Sequence, residues 1–229
     1  MSHRDTTSVR QSIAAALRPH ERAVLAVSGG LDSMVLLDAA AATIPRERLC
    51  VATFDHGTGA AATAAQSLVE RSATALGIPC LTERAARALT SEADLRDARW
   101  TFLRHVAARE GGAVCTAHTA DDQVETVLMR VLRGAGARGL AGLYATSDIV
   151  RPLLRFTRSD LARYARANDI VWVEDPSNAS PRYLRNRLRH DLLPALRRAQ
   201  PSIEAAILAS AEEAARWRDE VEAFVAQRI

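Results

Sequence analysis

The sequence predicts an α/β protein with a doubly wound, mostly parallel sheet and a C-terminal helical appendage. Short apolar runs alternate with segments of helical periodicity between residues 23 and 116, a pattern typical of parallel strands joined by crossover helices. Two glycines, Gly29 and Gly30, follow the first of these runs, at the kind of strand-to-helix turn where such sheets bind ligands. Beyond Pro201 one amphipathic pattern continues along the remaining chain.

Apolar periodicity and turn residues predict the elements in chain order. Strands are predicted at 23–27, 49–54, 80–83, 113–116 and 170–173, with residues 151–154 extended. Helices are predicted at 8–17, 32–43, 61–76, 91–109, 159–168 and 203–229. The glycines at 132–143 predict a flexible loop. We expect a catalytic domain at 1–180 and a helical extension at 181–229.

Composition indicates a folded protein, because 48% of the 229 residues are hydrophobic. The formal net charge is only +3 and there is no lysine, so every basic side chain is an arginine or histidine. Arginine suits bidentate phosphate contacts, although a general compositional bias explains the same count. Both interpretations stay open at this level.

Cysteines and hydropathy suggest a reducing, cytoplasmic setting without a membrane span. Cys50, Cys80 and Cys115 are far apart, form no C-x-x-C pair and fall in predicted strands, where cysteine acts as a small hydrophobe. No apolar run approaches the roughly 18 residues that suggest a membrane helix. The first ten residues are polar and do not resemble a signal peptide.

Residues 28–33, here called the glycine turn, read S-G-G-L-D-S between a strand and a helix. Glycines let the main chain approach a ligand, and Ser28, Ser33 and the helix amides can donate to phosphate oxygens. The Walker spacing is absent. Asp32 would repel phosphates unless a cation lay between them, which predicts Mg²⁺. The alternative is an ordinary turn in which Asp32 only complements the helix dipole.

A group of titratable residues follows the strand at 113–116. The helical spacing of His118, Asp122 and Glu125 predicts one helix face with an imidazole and two carboxylates, and Asp121 lies beside them. Since this stretch leaves the carboxyl end of a strand in the same sheet as the glycine turn, we expect it to serve the same chemistry. The alternative is a solvated acidic first turn.

Two arginine-bearing stretches lie further along the chain. Arg133 and Arg138 are carried on the glycine loop, which is either a lid over a polyanion or a connector. The densest basic cluster follows Tyr183, and it predicts a nucleic-acid surface or, alternatively, a solvated helix face. Its members are Arg185, Asn186, Arg187, Arg189, His190, Arg197 and Arg198.

The glycine turn resembles the pyrophosphate loop of ATP pyrophosphatases, which split ATP between its α- and β-phosphates. Further strings extend the resemblance to the N-terminal catalytic domain of the bacterial tRNA(Ile)-lysidine synthase family. They are D-H-G at 55–57, A-H-T-A-D-D-Q-V-E-T at 117–126, L-R-G-A-G-A-R-G-L-A-G-L at 132–143, R-P-L-L at 151–154, D-P-S-N at 175–178 and R-N-R-L-R at 185–189. The resemblance spans residues 23 to 195.

The resemblance implies an adenine nucleotide alpha hydrolase-like fold and an ATP-dependent ligase. In that family, ATP and L-lysine convert the wobble cytidine of the CAU-anticodon isoleucine tRNA into lysidine, through an adenylated tRNA. Catalytic roles are implied for Asp32, His118, Asp122 and Glu125, with Mg²⁺ at Asp32. Nucleotide contacts are implied for Ala26, Ser28, Gly29, Gly30, Leu31, Asp32, Ser33 and Arg99. Substrate and tRNA contacts are expected at Asp121, Arg133, Arg138, Asn178, Arg185, Arg187 and Arg189.

The sequence departs from the family pattern in two places. Thr58 and Gly59 follow the D-H-G string where the family often has a basic residue. Many members also carry two further C-terminal domains, so the chain is either a short form or a fragment. A homodimer through the C-terminal helix, which carries Trp217 and Phe224, is an arrangement that the sequence leaves open.

Two other functions remain alternatives. A tRNA thiolase of the same group typically carries paired cysteines, and those of this chain are unpaired in sequence. A non-catalytic nucleotide- or RNA-binding module would retain the glycine turn without needing catalytic side chains. The presence of Asp32, His118, Asp122 and Glu125 counts against it.

Overall fold

A computed structural model describes residues 3–57, 59–85, 91–174 and 184–228 of the chain. Its strands are β1 Ala23–Ala26, β2 Leu49–Asp55, β3 Cys80–Arg84 and β4 Ala113–Thr116. Its α-helices are α1 His3–Leu17, α2 Leu31–Ala41, α3 Ala60–Leu76, α4 Glu92–Glu110, α5 Ala120–Leu132, α6 Ala137–Leu140, α7 Arg158–Ala167, α8 Leu184–Arg187, α9 Leu193–Ala199 and α10 Ile203–Ala226.

The chain divides into two compact units. The first contains the described residues within 1–118 and 148–175, and the second those within 119–147 and 176–229. Compactness therefore groups residues 119–147 with the C-terminal helices. The predicted sequence domains, 1–180 and 181–229, remain a prediction.

The first unit is built on a four-stranded parallel sheet in the order β3-β2-β1-β4. Leu25 of β1 lies opposite Val51 of β2 on one side and Cys115 of β4 on the other. The strand order reverses beside β1, because β2 and β3 extend in one direction and β4 in the other. Ligands of open parallel sheets bind at such a switch point, outside the carboxyl ends of the strands.

Both faces of this sheet are covered, which confirms the doubly wound prediction. Leu25 and Val51 belong to a core that includes residues of α1, α2, α3 and α7, whereas Val24 belongs to a core with α4. Successive residues of a strand point to opposite faces, so the near-continuous apolar strands follow from burial on both sides. The three cysteines lie in β2, β3 and β4 as predicted.

Two predicted extended segments of the first unit are wrong. Residues 151–154 form turns, with the Leu154 amide donating to the Arg151 carbonyl, because Pro152 favours a turn while Leu153 is completely buried. Residues 170–173 form no strand; the Val173 amide instead donates a single hydrogen bond, 2.9 Å long, to the carbonyl of Gly29. Ile170 and Trp172 pack partly buried against the core, so the apolar character of this run reflects packing and not a strand ladder.

The second unit is helical, and its glycine-rich segment is more structured than the predicted flexible loop. That segment contains α6 and a 3₁₀ turn at Gly142–Tyr144. Gln123 of α5 is fully buried; its amide donates to the Ala141 carbonyl and accepts from the Leu143 amide. A buried side-chain amide therefore fixes the end of this segment, which glycine content alone does not predict.

The helix α10 buries two small residues and exposes several large apolar side chains in its C-terminal half. Ala211 and Ala215 are buried, whereas Trp217 is 51% and Phe224 56% exposed. Among the described residues, no helix combines the length and the apolar character that crossing a membrane requires.

Candidate functional site

The backbone of the glycine turn requires glycine at position 29. Gly29 has a φ of +83°, and a β-carbon there would lie 2.8 Å from both the β-carbon and the carbonyl oxygen of Ala65 on α3. Any side chain would therefore suffer both backbone strain and a steric clash. The backbone of Gly29 therefore packs directly against Ala65 of α3.

The hydroxyl of Ser33 shapes the turn from within. Its Oγ accepts from the Ser28 amide at 3.1 Å and donates to the Gly30 carbonyl at 2.9 Å. The first helical hydrogen bond of α2 runs from the Met34 amide to the Gly30 carbonyl, so the preceding amides at 31–33 belong to the helix end that commonly binds anions. This arrangement gives the expected phosphate donors a defined backbone position.

Asp32, in the first turn of α2, forms an ion pair with Arg158. Its Oδ2 lies 3.2 Å from Nε of Arg158, the first residue of α7. The side chains are 17% and 35% exposed. The proposed metal-binding carboxylate thus has a cationic neighbour that sequence reasoning did not identify.

His118 lies before α5 rather than on it, which corrects the predicted three-residue helix face. Thr119 is the N-cap of α5, with extended backbone and a reciprocal capping box with Asp122. The helix begins only at Ala120 because this cap stops it from extending backwards. The His118 Nδ1 is 2.8 Å from the Thr116 hydroxyl, so the imidazole is oriented by the end of β4.

Two further nucleotide candidates lie in the first unit. Ala26 ends β1, directly before the glycine turn. Arg99 lies on α4 with its guanidinium carbon 5.8 Å from the centre of the Trp100 ring, a cation–π distance. Of the glycine turn, the structure brings Asp32 into contact with Arg158.

In the second unit, the acidic residues of α5 meet two arginines. The Glu125 carboxylate is 1% exposed; its Oε2 lies 2.6 Å from Arg185 Nε, and its Oε1 lies 2.6 Å from Arg189 Nε. Arg185 also donates to Asp122 Oδ1 at 2.9 Å. The sequence predicted carboxylates and arginines as separate sets, and the structure brings Asp122, Glu125, Arg185 and Arg189 into one network.

The remaining basic candidates differ in their surroundings. Arg133 and Arg187 are exposed. Glu222 of α10 accepts hydrogen bonds from Arg218 at 2.8 Å and from Arg138 at 3.1 Å, and these bonds lower the pKa of Glu222. The pKa of Arg197 is raised mainly by its hydrogen bond to Glu204. Asp121 is partly exposed in the first turn of α5, and Asn178 lies outside the described residues.

The cysteines are poor nucleophiles. Burial raises the pKa of Cys50 to about 11, and that of Cys80 to about 11 as well. Burial raises the pKa of Cys115 still further. Reactive cysteines require a thiolate near neutral pH, so none of the three suits nucleophilic sulfur chemistry.

Two residues near these candidates were missed by sequence reasoning. Arg158 lies inside a T-x-x-D capping sequence at Thr157–Asp160, directly after the cap residue. A cation in the first turn of a helix is unfavourable for the dipole, and this is the signal that marks it. Gln123 lies within the A-D-D-Q-V-E-T string, but nothing in the pattern predicts its contact with residues 141–143.

The sequence was compared with protein-family models and with curated proteins. A family model described as the PP-loop domain matches residues 1–196. The chain is 38% identical over 202 residues to the tRNA(Ile)-lysidine synthase of Coxiella burnetii, covering 83% of this chain and 45% of that protein. It is 40% identical over 216 residues to the tRNA(Ile)-lysidine synthase of Novosphingobium aromaticivorans, covering 88% of this chain and 66% of that protein.

A solved structure supports the fold independently. The U34-tRNA thiolase NcsA of Methanococcus maripaludis, determined with its [4Fe-4S] cluster, superposes with a TM-score of 0.74 at 15% identity, covering 94% of this chain and 81% of that one. Identity this low informs about fold alone. With the family model matching most of the sequence and the glycine turn in place, the chain belongs to the PP-loop domain family.

Proposed function

We propose that the chain catalyses ATP-dependent ligation of L-lysine to C2 of the wobble cytidine of a CAU-anticodon tRNA(Ile). The observation that carries the proposal is the 38% identity, over 83% of this chain, to a protein named tRNA(Ile)-lysidine synthase. The chain spans only 45% of that relative's length, so the activity of the whole relative is extended here as a proposal.

ATP binding is assigned to the glycine turn. Gly29 lets the turn pack directly on Ala65 of α3, and the helix amides at 31–33 supply donors for phosphate oxygens. Among the described residues, no three acidic, histidine or cysteine side chains gather into a metal site. One carboxylate, that of Asp32, fits Mg²⁺, which is commonly held by one or two carboxylates together with substrate phosphates. Mg²⁺ would supply neutralisation of phosphate charge there.

In the first step, the C2 carbonyl oxygen of cytidine attacks the α-phosphate of ATP. Pyrophosphate leaves, and the tRNA carries AMP on that oxygen. Donors of the glycine turn stabilise the charge that develops on the leaving group. His118, whose imidazole is oriented by Thr116, assists at the phosphates.

In the second step, the ε-amine of lysine attacks C2, and AMP departs from the tRNA. The amine must be neutral to attack, so a carboxylate that binds the ammonium and accepts its proton would assist. Asp122 and Glu125 are assigned this role, with Asp121 beside them. Because Glu125 is bonded to Arg185 and Arg189, binding of the amine requires at least one guanidinium contact to change.

The proposal is tested by ATP–pyrophosphate exchange with purified protein, tRNA(Ile) and lysine, each omitted in turn. Exchange that requires tRNA but not lysine, followed by lysidine formation when lysine is added, is expected. A thiolase would modify tRNA only with a sulfur source, and a binding module would show no exchange; either result rejects the ligase. The three cysteines are unpaired in sequence and lie on three different strands, which disfavours the thiolase.

A further inference from the structure

Arg158 is anchored at the glycine turn by features of its own helix. Thr157 caps α7 in a reciprocal capping box with Asp160. Leu161 and Ala165 are completely buried, and the Tyr164 hydroxyl donates to Asp38 of α2 at 2.7 Å. These contacts fix the start of α7 relative to α2. The guanidinium of Arg158 therefore reaches Asp32 from a rigid position rather than from a loop.

The position of Arg158 is electrostatically unusual. A cation in the first turn of a helix opposes the helix dipole, and Asp32, at 3.2 Å, offsets this. A cation held by Asp32 together with phosphates would withdraw part of that compensation, and a phosphate oxygen beside the guanidinium would restore it. A guanidinium has five donors, so it can bridge a carboxylate and a phosphate.

We infer that Arg158 binds the pyrophosphate portion of the nucleotide and that Asp32 holds it in place before the nucleotide arrives. The inference rests on the proposed ATP-dependent function and adds to it a phosphate ligand on α7. Arg158 would contact substrate oxygens directly and stabilise pyrophosphate as it leaves. No sequence motif considered above assigns this residue a role.

Equilibrium binding separates this role from that of a structural counter-ion. Pyrophosphate and ATP are titrated into the wild-type protein, Arg158→Ala and Arg158→Gln, with Mg²⁺ and with chelator. Loss of a charge-assisted contact is expected to weaken pyrophosphate binding by about tenfold or more in both conditions. Arg158→Lys should recover part of the affinity, because it keeps the charge but not the bidentate fork.

Asp32→Asn provides a test of opposite sign. Without Mg²⁺, the Asp32 carboxylate repels pyrophosphate and competes with it for Arg158. Asp32→Asn removes both effects, so pyrophosphate binding should strengthen. Combining Asp32→Asn with Arg158→Ala should abolish that gain. Arg163→Ala is the matched control, since Arg163 lies on the same helix and pairs with the partly exposed Asp160. The pyrophosphate affinity of this variant should stay at the wild-type value.

The outcomes are decisive even where a variant is unstable. Thermal melts without ligand identify folded variants, and Arg158→Gln replaces Arg158→Ala if the smaller side chain prevents folding. Pyrophosphate affinities within about twofold of wild type, for a folded variant in both conditions, would overturn the inference. If pyrophosphate binding behaves as expected while the wild-type protein forms no lysidine, the proposed function fails and the phosphate role of Arg158 stands.

Discussion

Glu125 and Arg189 form a paired contact: Nε of Arg189 donates to one carboxylate oxygen at 2.6 Å, and Nη2 donates to the other at 3.0 Å. Arg185 donates to the second oxygen as well. The carboxylate is 1% exposed, so these arginines replace the water that a charged group would otherwise need. Part of the basic cluster thus stabilises the acidic helix in this structure.

Removing Arg189 should destabilise the second unit. Arg189→Ala leaves the buried Glu125 with one guanidinium, and the expected loss in the free energy of unfolding is on the order of 3 kcal/mol, as for other buried pairs that lose one partner. Urea unfolding measures it. Arg197→Ala, which breaks the more exposed pair with Glu204, should cost less than about 1 kcal/mol. Equal losses would show that the burial of Glu125 has no energetic consequence.

Glu125→Gln should impair the use of lysine more than adenylation of tRNA. The amide keeps the shape of the side chain but cannot pair with a cationic amine or accept its proton. In single-turnover reactions with labelled ATP, adenylated tRNA should accumulate. The rate of lysidine formation should fall by about tenfold or more relative to the wild-type protein. Asp122→Asn is the companion variant. A proportional loss of both steps would count against a lysine-specific role for these carboxylates.

Asp32→Ala should abolish ATP turnover if the carboxylate links Mg²⁺ to the polyphosphate. The expected signature is loss of tRNA adenylation at all nucleotide concentrations, measured as pyrophosphate release. Raising the Mg²⁺ concentration should restore little, because the residue that would hold the metal is missing. Adenylation at the wild-type rate would remove Asp32 from the mechanism.

Gly29→Ala should disrupt nucleotide binding through the backbone. The new β-carbon would clash with Ala65 and would force an alanine to a φ of +83°. Gly111→Ala is a matched control, because Gly111 also has a positive φ, +63°, but opens into space. Both should lose about 1 kcal/mol or more of stability from strain. Only Gly29→Ala should also lose ATP affinity in equilibrium titrations.

The sequence predicted the sheet well because its signals are local. Burial on both faces makes β1, β2 and β4 nearly continuous apolar runs, and glycines punctuate them. The spacing that predicts His118 on the same helix as Asp122 is wrong, because the Thr119–Asp122 capping box starts α5 at Ala120.

Contacts between residues distant in sequence could not be predicted. Arg185 is 60 residues from Glu125, and Arg158 lies far along the chain from Asp32. Opposite charges attract wherever the fold places them, and one sequence without tertiary contacts does not say which pairs meet. Amphipathic spacing in α10 likewise does not say which of its apolar residues pack within the chain, and in this structure Ala211 and Ala215 are buried while Trp217 is exposed.

Raised cysteine pKa values predict a stability that falls at alkaline pH. The folded pKa of Cys50, about 11, lies above the ordinary value of 9.0 because the buried thiolate is disfavoured. The folded state therefore favours the protonated thiol. Its contribution to the free energy of unfolding is fully present below pH 9 and is lost as the pH rises through 11. Unfolding in urea from pH 8 to 11 measures it. Cys50→Ala should reduce the slope above pH 9; an unchanged slope would mean that this thiol ionises normally.

Exposed arginines of the C-terminal helices should carry the phosphate contacts to tRNA. Arg185 and Arg189 bond to Glu125, whereas Arg187 and Arg198 are exposed. Each phosphate contact releases counterions, so Arg187→Ala combined with Arg198→Ala should flatten the dependence of log affinity on log salt by roughly one unit per contact. The apparent KM for tRNA should rise, whereas the affinity for ATP should not change.

The control removes two positive charges from the first unit, by combining Arg18→Ala with Arg71→Ala at two exposed positions. An equal decrease of the salt slope in this control would indicate an effect of net charge alone. An unchanged salt slope in the variant that lacks Arg187 and Arg198 would mean that tRNA binds through Arg185 and Arg189 or elsewhere.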